Sequence, residues 1–266
     1  MNKIERSVAC ALFLIAASWI PVQSLAQSPF DGTWRTNMAQ TKLSPKPNEF
    51  YLSQGWYHCT SCNPKIDAKA DGTDQPVTGQ SYDTISVRDS DSKSLSFTTQ
   101  KGGKVDFEQT RTVSADGKTL VVKTTSHPMN SDQTVTAEAT AKRIGALPTG
   151  VHATSGSWQL TKVEQSENGL LSTFKTKGDE LSMSSPTGES FTAKIDGKDY
   201  PVKGAYTFNA VSLKRVDART LEETDKRDGT VYEVSKMTVS PDGKKMTVVS
   251  TNKLTDRTTT YTADKK

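Results

Sequence analysis

The sequence predicts an all-β protein with two tandem antiparallel units of about eight strands each, either barrels or sandwiches. The main observation is an internal repeat, because residues 82–127 align without a gap to residues 208–253. Each copy contains two runs of alternating apolar and polar residues joined at Asp-Gly, which is a strong hairpin signal. No stretch has a helical period long enough to compete with this strand pattern.

Each half also begins with the same short pattern, Gly32-Thr-Trp34 in the first and Gly156-Ser-Trp158 in the second. The Gly lets the backbone approach the Trp closely, and the Trp can cap one end of a barrel. Residues 145–155 are rich in Gly, Pro and small polar residues, which is the composition of a linker. We therefore expect a first repeat over residues 27–144, a linker over 145–155 and a second repeat over 156–266.

Composition limits the class of protein further. The chain has 266 residues, 33% of them hydrophobic, and a formal net charge of +4. A thin core divided between two small units fits this balance better than one large core. The repeated pattern and the nearly balanced charges argue against disorder. Because basic residues are scattered among acidic ones, we expect no nucleic-acid binding.

Residues 1–26 have the features of a secretory signal peptide. A basic start precedes an apolar run over residues 8–20, and the small residues Ser24 and Ala26 follow. The run is too short for a transmembrane helix, which needs roughly 20 residues. We expect cleavage before Gln27 and a periplasmic or secreted mature protein without a membrane span.

Two cysteines, Cys59 and Cys62, are present in the expected mature chain. In an oxidising compartment we expect them to form a local disulfide. A thiol redox centre and a metal site that includes His58 are the alternatives. The redox alternative lacks a following helix, the metal site lacks nearby further ligands, and haem attachment would need a histidine where Asn63 stands. We therefore predict neither a cofactor nor a metal.

The aromatic residues Trp56 and Tyr57, with His58, are the candidate ligand-binding residues. Held on a stapled loop, they could bind a flat apolar molecule, a sugar or a protein partner. The alternative is that these aromatic side chains close the core of a barrel.

The second copy also has an acidic run, comprising Glu222, Glu223, Asp225 and Asp228. On a strand, Glu223 and Asp225 share one face, so paired carboxylates for acid-base catalysis are geometrically allowed. Basic residues are interleaved with them, and the first copy has no acid at these positions. We interpret the run as a solvated charged strand edge that discourages aggregation.

The Gly-x-Trp start of each series of short strands resembles the calycin superfamily, which includes lipocalins and fatty-acid-binding proteins. The resemblance implies two tandem lipocalin-like barrels of about eight strands that carry apolar molecules in a central cavity. It also implies a late basic residue packed across each Trp. Arg143 fits this role in the first half, and Arg257 or the terminal lysines fit it in the second.

The whole mature chain is also similar to a group of secreted bacterial proteins of unassigned activity. The shared phrases are DGTW, WYHCxSCNP, ADGTDQPVTG, SLKR and ETDKRDG. This similarity implies a fold and a location outside the cytoplasm, and it implies no mechanism.

We therefore expect a non-enzymatic protein that binds a small apolar or amphipathic ligand. One alternative is an envelope structural protein whose loop at residues 50–64 contacts a protein partner. A weaker alternative is an enzyme, either a thiol redox protein or a hydrolase. The sequence does not indicate an oligomeric state.

Overall fold

The computed structural model describes residues 28–129, 131–205 and 207–266, so the expected signal peptide and its cleavage site lie outside the described residues. Alternation of inward apolar and outward polar residues produces strands throughout. The first half forms ten: β1 (Gly32–Lys42), β2 (Asn48–Ser53), β3 (Trp56–Cys59), β4 (Ile66–Lys69), β5 (Asp71–Pro76), β6 (Thr84–Asp91), β7 (Ser94–Lys101), β8 (Lys104–Val113), β9 (Thr119–Ser126) and β10 (Val135–Ile144).

The second half repeats this series. Its elements are β11 (Gly156–Gln165), a 3-10 turn (Glu167–Gly169), β12 (Leu171–Lys177), β13 (Glu180–Ser184), β14 (Ser190–Lys194), β15 (Asp199–Lys203), β16 (Ala210–Asp217), β17 (Thr220–Arg227), β18 (Thr230–Val239), β19 (Lys245–Asn252) and β20 (Arg257–Lys265). All neighbouring strands pair antiparallel, as hairpin-connected strands do.

The strands form two barrel-like sheets, and each sheet includes the first strand of the other half. Barrel 1 has the order β4-β3-β2-β11-β10-β9-β8-β7-β6-β5. Barrel 2 is closed and has the order β1-β12-β13-β14-β15-β16-β17-β18-β19-β20. Thus β1 lies between β12 and β20, while β11 lies between β10 and β2. The sequence repeat and the sheets therefore have different boundaries.

Each barrel has ten strands, so the expectation of eight is wrong. The short β3 and β4 flank the cysteine pair, where the sequence indicated a loop. Typical turn residues are present in both β5, with Asp, Gly and Pro, and β15, with Asp and Pro. Pro76 and Pro201 nevertheless pair with residues of the next strand. Proline is tolerated at such positions because they need no amide donor.

Two separate apolar cores confirm this division. Trp34 packs with Phe174, Leu213 and other residues of barrel 2. Trp158 packs with Phe50, Leu95 and other residues of barrel 1. Each Trp is 1% exposed, so each exchanged strand contributes a large side chain to the core that it enters.

Candidate functional site

The two Gly-x-Trp patterns build equivalent caps at the barrel ends. The Trp34 indole N–H donates to the Phe30 carbonyl at 2.7 Å, and the Trp158 indole N–H donates to the Thr154 carbonyl at 2.8 Å. Lys265 Nζ lies 5.1 Å from the Trp34 ring centre. Each indole is thus buried with its polar atom satisfied.

A basic residue across each Trp was predicted, but the partners are exchanged. The Arg143 guanidinium lies 4.1 Å from the ring centre of Trp158, a residue of the other half. Of the terminal residues predicted for the second cap, Lys265 takes the position, and it covers Trp34. Gly156 has φ +120°, and a Cβ there would lie 2.9 Å from Arg143 Nη1. Glycine is required both for this backbone angle and for the close approach of Arg143.

A cavity of about 370 Å³ is lined by residues of barrel 1 together with Thr207 from the second half. Its wall is mainly apolar and aromatic and includes Tyr57, Ile85 and Phe97. The Tyr57 ring meets the Phe97 ring edge-on, with ring centres 5.1 Å apart. The volume lies within the range of about 300–1,000 Å³ that is typical of small-molecule sites.

Arg111 brings a positive charge to this apolar cavity. Its guanidinium carbon lies 4.3 Å from the ring centres of both Phe50 and Phe97. Its Nε donates to Gln109 Oε1 at 2.5 Å, and its Nη1 donates to the Tyr57 hydroxyl at 2.9 Å. Within the described part of the chain, Arg111 forms no ion pair. The groups that contact the guanidinium are neutral or aromatic. The buried carboxyl of Asp106 also lines the cavity, where it accepts a hydrogen bond from the Thr99 hydroxyl, but it is outside ion-pair distance of Arg111. The guanidinium is therefore available to an anion.

A second cavity, of about 570 Å³, adjoins the first and extends to residues of barrel 2. Arg111 lines both cavities, and Arg227 and Arg257 add two guanidiniums to the larger one. Arg227 Nε donates to the Thr207 carbonyl at 2.7 Å, and Arg257 Nη2 donates to the Pro47 carbonyl. Neither arginine has a carboxylate within ion-pair distance in residues 28–129, 131–205 and 207–266. We call this larger cavity the mouth of barrel 1, and the described residues that line it include three guanidiniums and no carboxylate.

Alternation along β3 separates the three predicted ligand-binding residues. Tyr57 points inward, is 2% exposed and lines both cavities. Trp56 points outward and is 42% exposed, with Lys69 Nζ 5.8 Å from its ring centre. His58 also points outward, and its Nδ1 lies 2.5 Å from Asp67 Oδ1. The structure therefore brings only Tyr57 to the cavities.

Cys59 and Cys62 are joined by a disulfide with a Cα–Cα distance of 5.4 Å. The disulfide connects the end of β3 to the loop before β4. Both residues line the larger cavity. The pair therefore shapes one wall of the cavity mouth.

The interpretation of the acidic run as a solvated edge is wrong for Glu223 and Asp225. Both line a cavity of about 200 Å³ inside barrel 2, and Asp225 is 4% exposed. Burial, and then repulsion by neighbouring acids, raises the pKa of each carboxyl above its ordinary value. Glu222 alternates with them on β17 and is outside the residues that line this cavity.

Sequence reasoning also missed Arg111. A usable signal was present, because Phe107, Gln109, Arg111 and Val113 alternate along β8 on one face. An arginine on the same face as a core valine indicates a charge directed into the barrel.

Within the described ranges, no helix is both long and apolar enough to cross a membrane. Comparisons with protein-family models, with curated proteins and with solved structures return no match for this chain.

Proposed function

We propose that the protein is a non-enzymatic carrier whose barrel 1 binds a small amphipathic molecule with an anionic head group. The single observation that carries this proposal is Arg111, a guanidinium within an apolar and aromatic cavity and without an ion pair in the described residues. Moving a charge out of water is costly unless a partner compensates it. A carboxylate or sulfate on a ligand is such a partner, since arginine binds these groups through paired N–H donors.

The two adjoining cavities suit the two ends of an amphipathic molecule. The smaller cavity, of about 370 Å³ and lined by Ile85 and Phe97, offers an apolar wall for a hydrocarbon tail. The larger cavity, at the mouth of barrel 1, adds the guanidiniums of Arg227 and Arg257. An anionic head group would remain in contact with water there. In this arrangement the ligand enters tail first, with its head between Arg111 and the mouth.

The proposal includes a lipocalin-like mode of binding and a location outside the cytoplasm. Support for the first comes from the barrel form and from the basic residues across Trp34 and Trp158. Support for the second comes from the signal-peptide features of residues 1–26. A hydrophobic ligand carried through an aqueous compartment needs an enclosed site of this kind.

Dodecanoate binding to the mature protein, measured by isothermal titration calorimetry, tests this proposal. We expect one site, and we expect Arg111→Met to weaken binding at least tenfold. The second repeat itself has Met237 at the equivalent position, so methionine is compatible with this fold. Arg88→Met is the matched control, since Arg88 is an exposed arginine on β6 of the same barrel. Equal affinity of the Arg111→Met variant and the wild type, or no binding to either, would contradict the proposal.

A further inference from the structure

Four acidic side chains line a cavity of about 200 Å³ inside barrel 2. Glu223 and Asp225 lie on β17, Glu233 lies on β18 and Glu189 immediately precedes β14. Asp225 and Glu233 are direct cross-strand partners. None of the four forms an ion pair with a basic residue in the part of the chain that the structure describes.

Asp225 shows most directly that this cluster lacks a partner. The residue is 4% exposed, and its Oδ1 has no hydrogen-bond partner among the described residues. Burial also raises the pKa of Glu189, Glu223 and Asp225, and repulsion by neighbouring acids raises the pKa of Glu223 and Asp225 further. Buried polar atoms are normally satisfied, so an unsatisfied carboxyl oxygen facing a cavity indicates a missing donor.

The fold does not require these acids. The registers of β7–β8 and β17–β18 match, so each inward position in one barrel has an equivalent in the other. Phe97 corresponds to Glu223, Thr99 to Asp225 and Phe107 to Glu233. Barrel 1 thus forms with uncharged residues at all three positions. The acidic residues are therefore specific to the cavity of barrel 2.

A group that donates to these acids would be a cation, and the remaining wall of the cavity indicates which kind of cation fits. Trp34, Phe174 and Tyr261 supply aromatic rings, and Met183 and Met237 supply further apolar surface. In the described ranges no group of three or more His, Cys, Asp or Glu side chains is placed to hold a metal ion. Aromatic faces attract organic ammonium groups, and an ammonium has three N–H donors for separate carboxylates.

We propose that this cavity is a second binding site, which takes a small primary ammonium compound with an apolar body. Its ammonium group donates to Asp225 Oδ1 and to the neighbouring glutamates, while its carbon chain packs against the aromatic wall. The site is separate from the cavities of barrel 1, and the proposal does not depend on anion binding there.

Calorimetric titration of the mature protein with butylammonium chloride at pH 8 tests the proposal. We expect saturable binding that falls at least tenfold in the double variant Glu223→Gln with Asp225→Asn. Both substitutions remove charge and preserve side-chain size. The control Glu222→Gln removes an acid from the other face of the same strand, and it should bind as the wild type does. Arg111→Met should also bind butylammonium normally, which separates this site from that of barrel 1.

Three outcomes would overturn the proposal. They are no binding of butylammonium by the wild type, equal binding by wild type and double variant, and a preference for Ca²⁺ over butylammonium that the double variant abolishes. Circular dichroism checks that the double variant is folded. If it is not, the single variant Asp225→Asn takes its place in the titration, with the same expected loss of binding.

Discussion

The guanidinium of Arg143, at the end of β10, covers the indole ring of Trp158, at the start of β11. Its N–H groups also donate to the carbonyls of Gly117, Ala153 and Ser155. One side chain thereby connects a hairpin turn, the segment before β11 and the aromatic cap of barrel 1.

We expect Arg143→Ala to lower the free energy of unfolding by roughly 2 to 4 kcal/mol, because it removes charge-assisted hydrogen bonds and a cation–π contact together. Urea denaturation measures the loss. Arg88→Ala, an exposed arginine on the same barrel, should stay within about 0.5 kcal/mol of the wild type. Equal effects of the two substitutions would show that Arg143 does not stabilise the cap.

The strand exchange predicts how a cut chain behaves. Residues 145–150 are exposed, so a specific protease site can replace part of this segment. After cleavage, β1 still belongs to barrel 2 and β11 still belongs to barrel 1. We expect the two fragments to elute together in size-exclusion chromatography and to separate only in denaturant. Separate elution in native buffer would contradict the exchange.

The buried acids of barrel 2 predict an unusual dependence of stability on pH. The pKa values of Glu189, Glu223 and Asp225 are raised in the folded protein, so these groups keep protons there that they lose on unfolding. Protons bound by the folded state exceed those of the unfolded state above about pH 4, the ordinary carboxyl pKa, and through neutrality. Stability attributable to these groups is therefore present at acidic pH and falls as the pH rises.

We expect the double variant Glu223→Gln with Asp225→Asn to be more stable than the wild type at pH 8, with a smaller difference at pH 4. Glu233 and the Tyr261 phenol face the same cavity and remain in the variant. Urea denaturation at the two pH values makes the comparison. A variant that is less stable than the wild type at pH 8 would indicate that the acids stabilise the ligand-free fold.

The disulfide predicts a modest loss of stability when it is removed. Cys59 and Cys62 are three residues apart, so the closed loop is short. The loop-closure model gives about 2 kcal/mol for a loop of this size. We expect the double variant Cys59→Ala with Cys62→Ala to remain folded and to lose about this amount. Loss of folding altogether would indicate that the link also organises β3 and β4.

Neighbouring aromatic residues on β3 should respond differently to truncation. Trp56→Ala should change the free energy of unfolding by less than about 1 kcal/mol, because the ring is 42% exposed. Tyr57→Ala should cost about 3 to 5 kcal/mol, since it empties a packed core position. Thermal and urea denaturation measure both. A large loss for Trp56→Ala would place its ring in a stabilising contact.

Alternation and turn residues predicted the all-β class, because both are local properties of the chain. The internal repeat predicted the duplication, because two segments of similar sequence form similar strands. The exchange of β1 and β11 could not be predicted in this way. Both strands begin with Gly-x-Trp, so either Trp satisfies either barrel in sequence terms. Which tryptophan enters which barrel depends on how the sheets close in three dimensions, where Arg143 packs on Trp158 and Lys265 packs on Trp34.

The candidate sites were missed for a related reason. Strand periodicity placed Glu223 and Asp225 on one face, but it does not state which face is interior. Charged side chains usually face solvent, and this general tendency led to the wrong prediction that the two acids face outward. Arg111 was overlooked in the same way, although its inward neighbour Val113 is buried. Charges inside a barrel contradict the rule that is used to orient its strands.

The exchanged strands also determine what happens when one of the two repeats is deleted from the chain. A tandem repeat can ordinarily gain or lose a unit and leave a working neighbour. Here, deletion of either half removes the strand that this half contributes to the other barrel, together with the tryptophan that the strand places in that barrel's core. The two halves thereby form a single structural unit, in which the arginine-lined cavity of barrel 1 and the acid-lined cavity of barrel 2 depend on the same two exchanged strands.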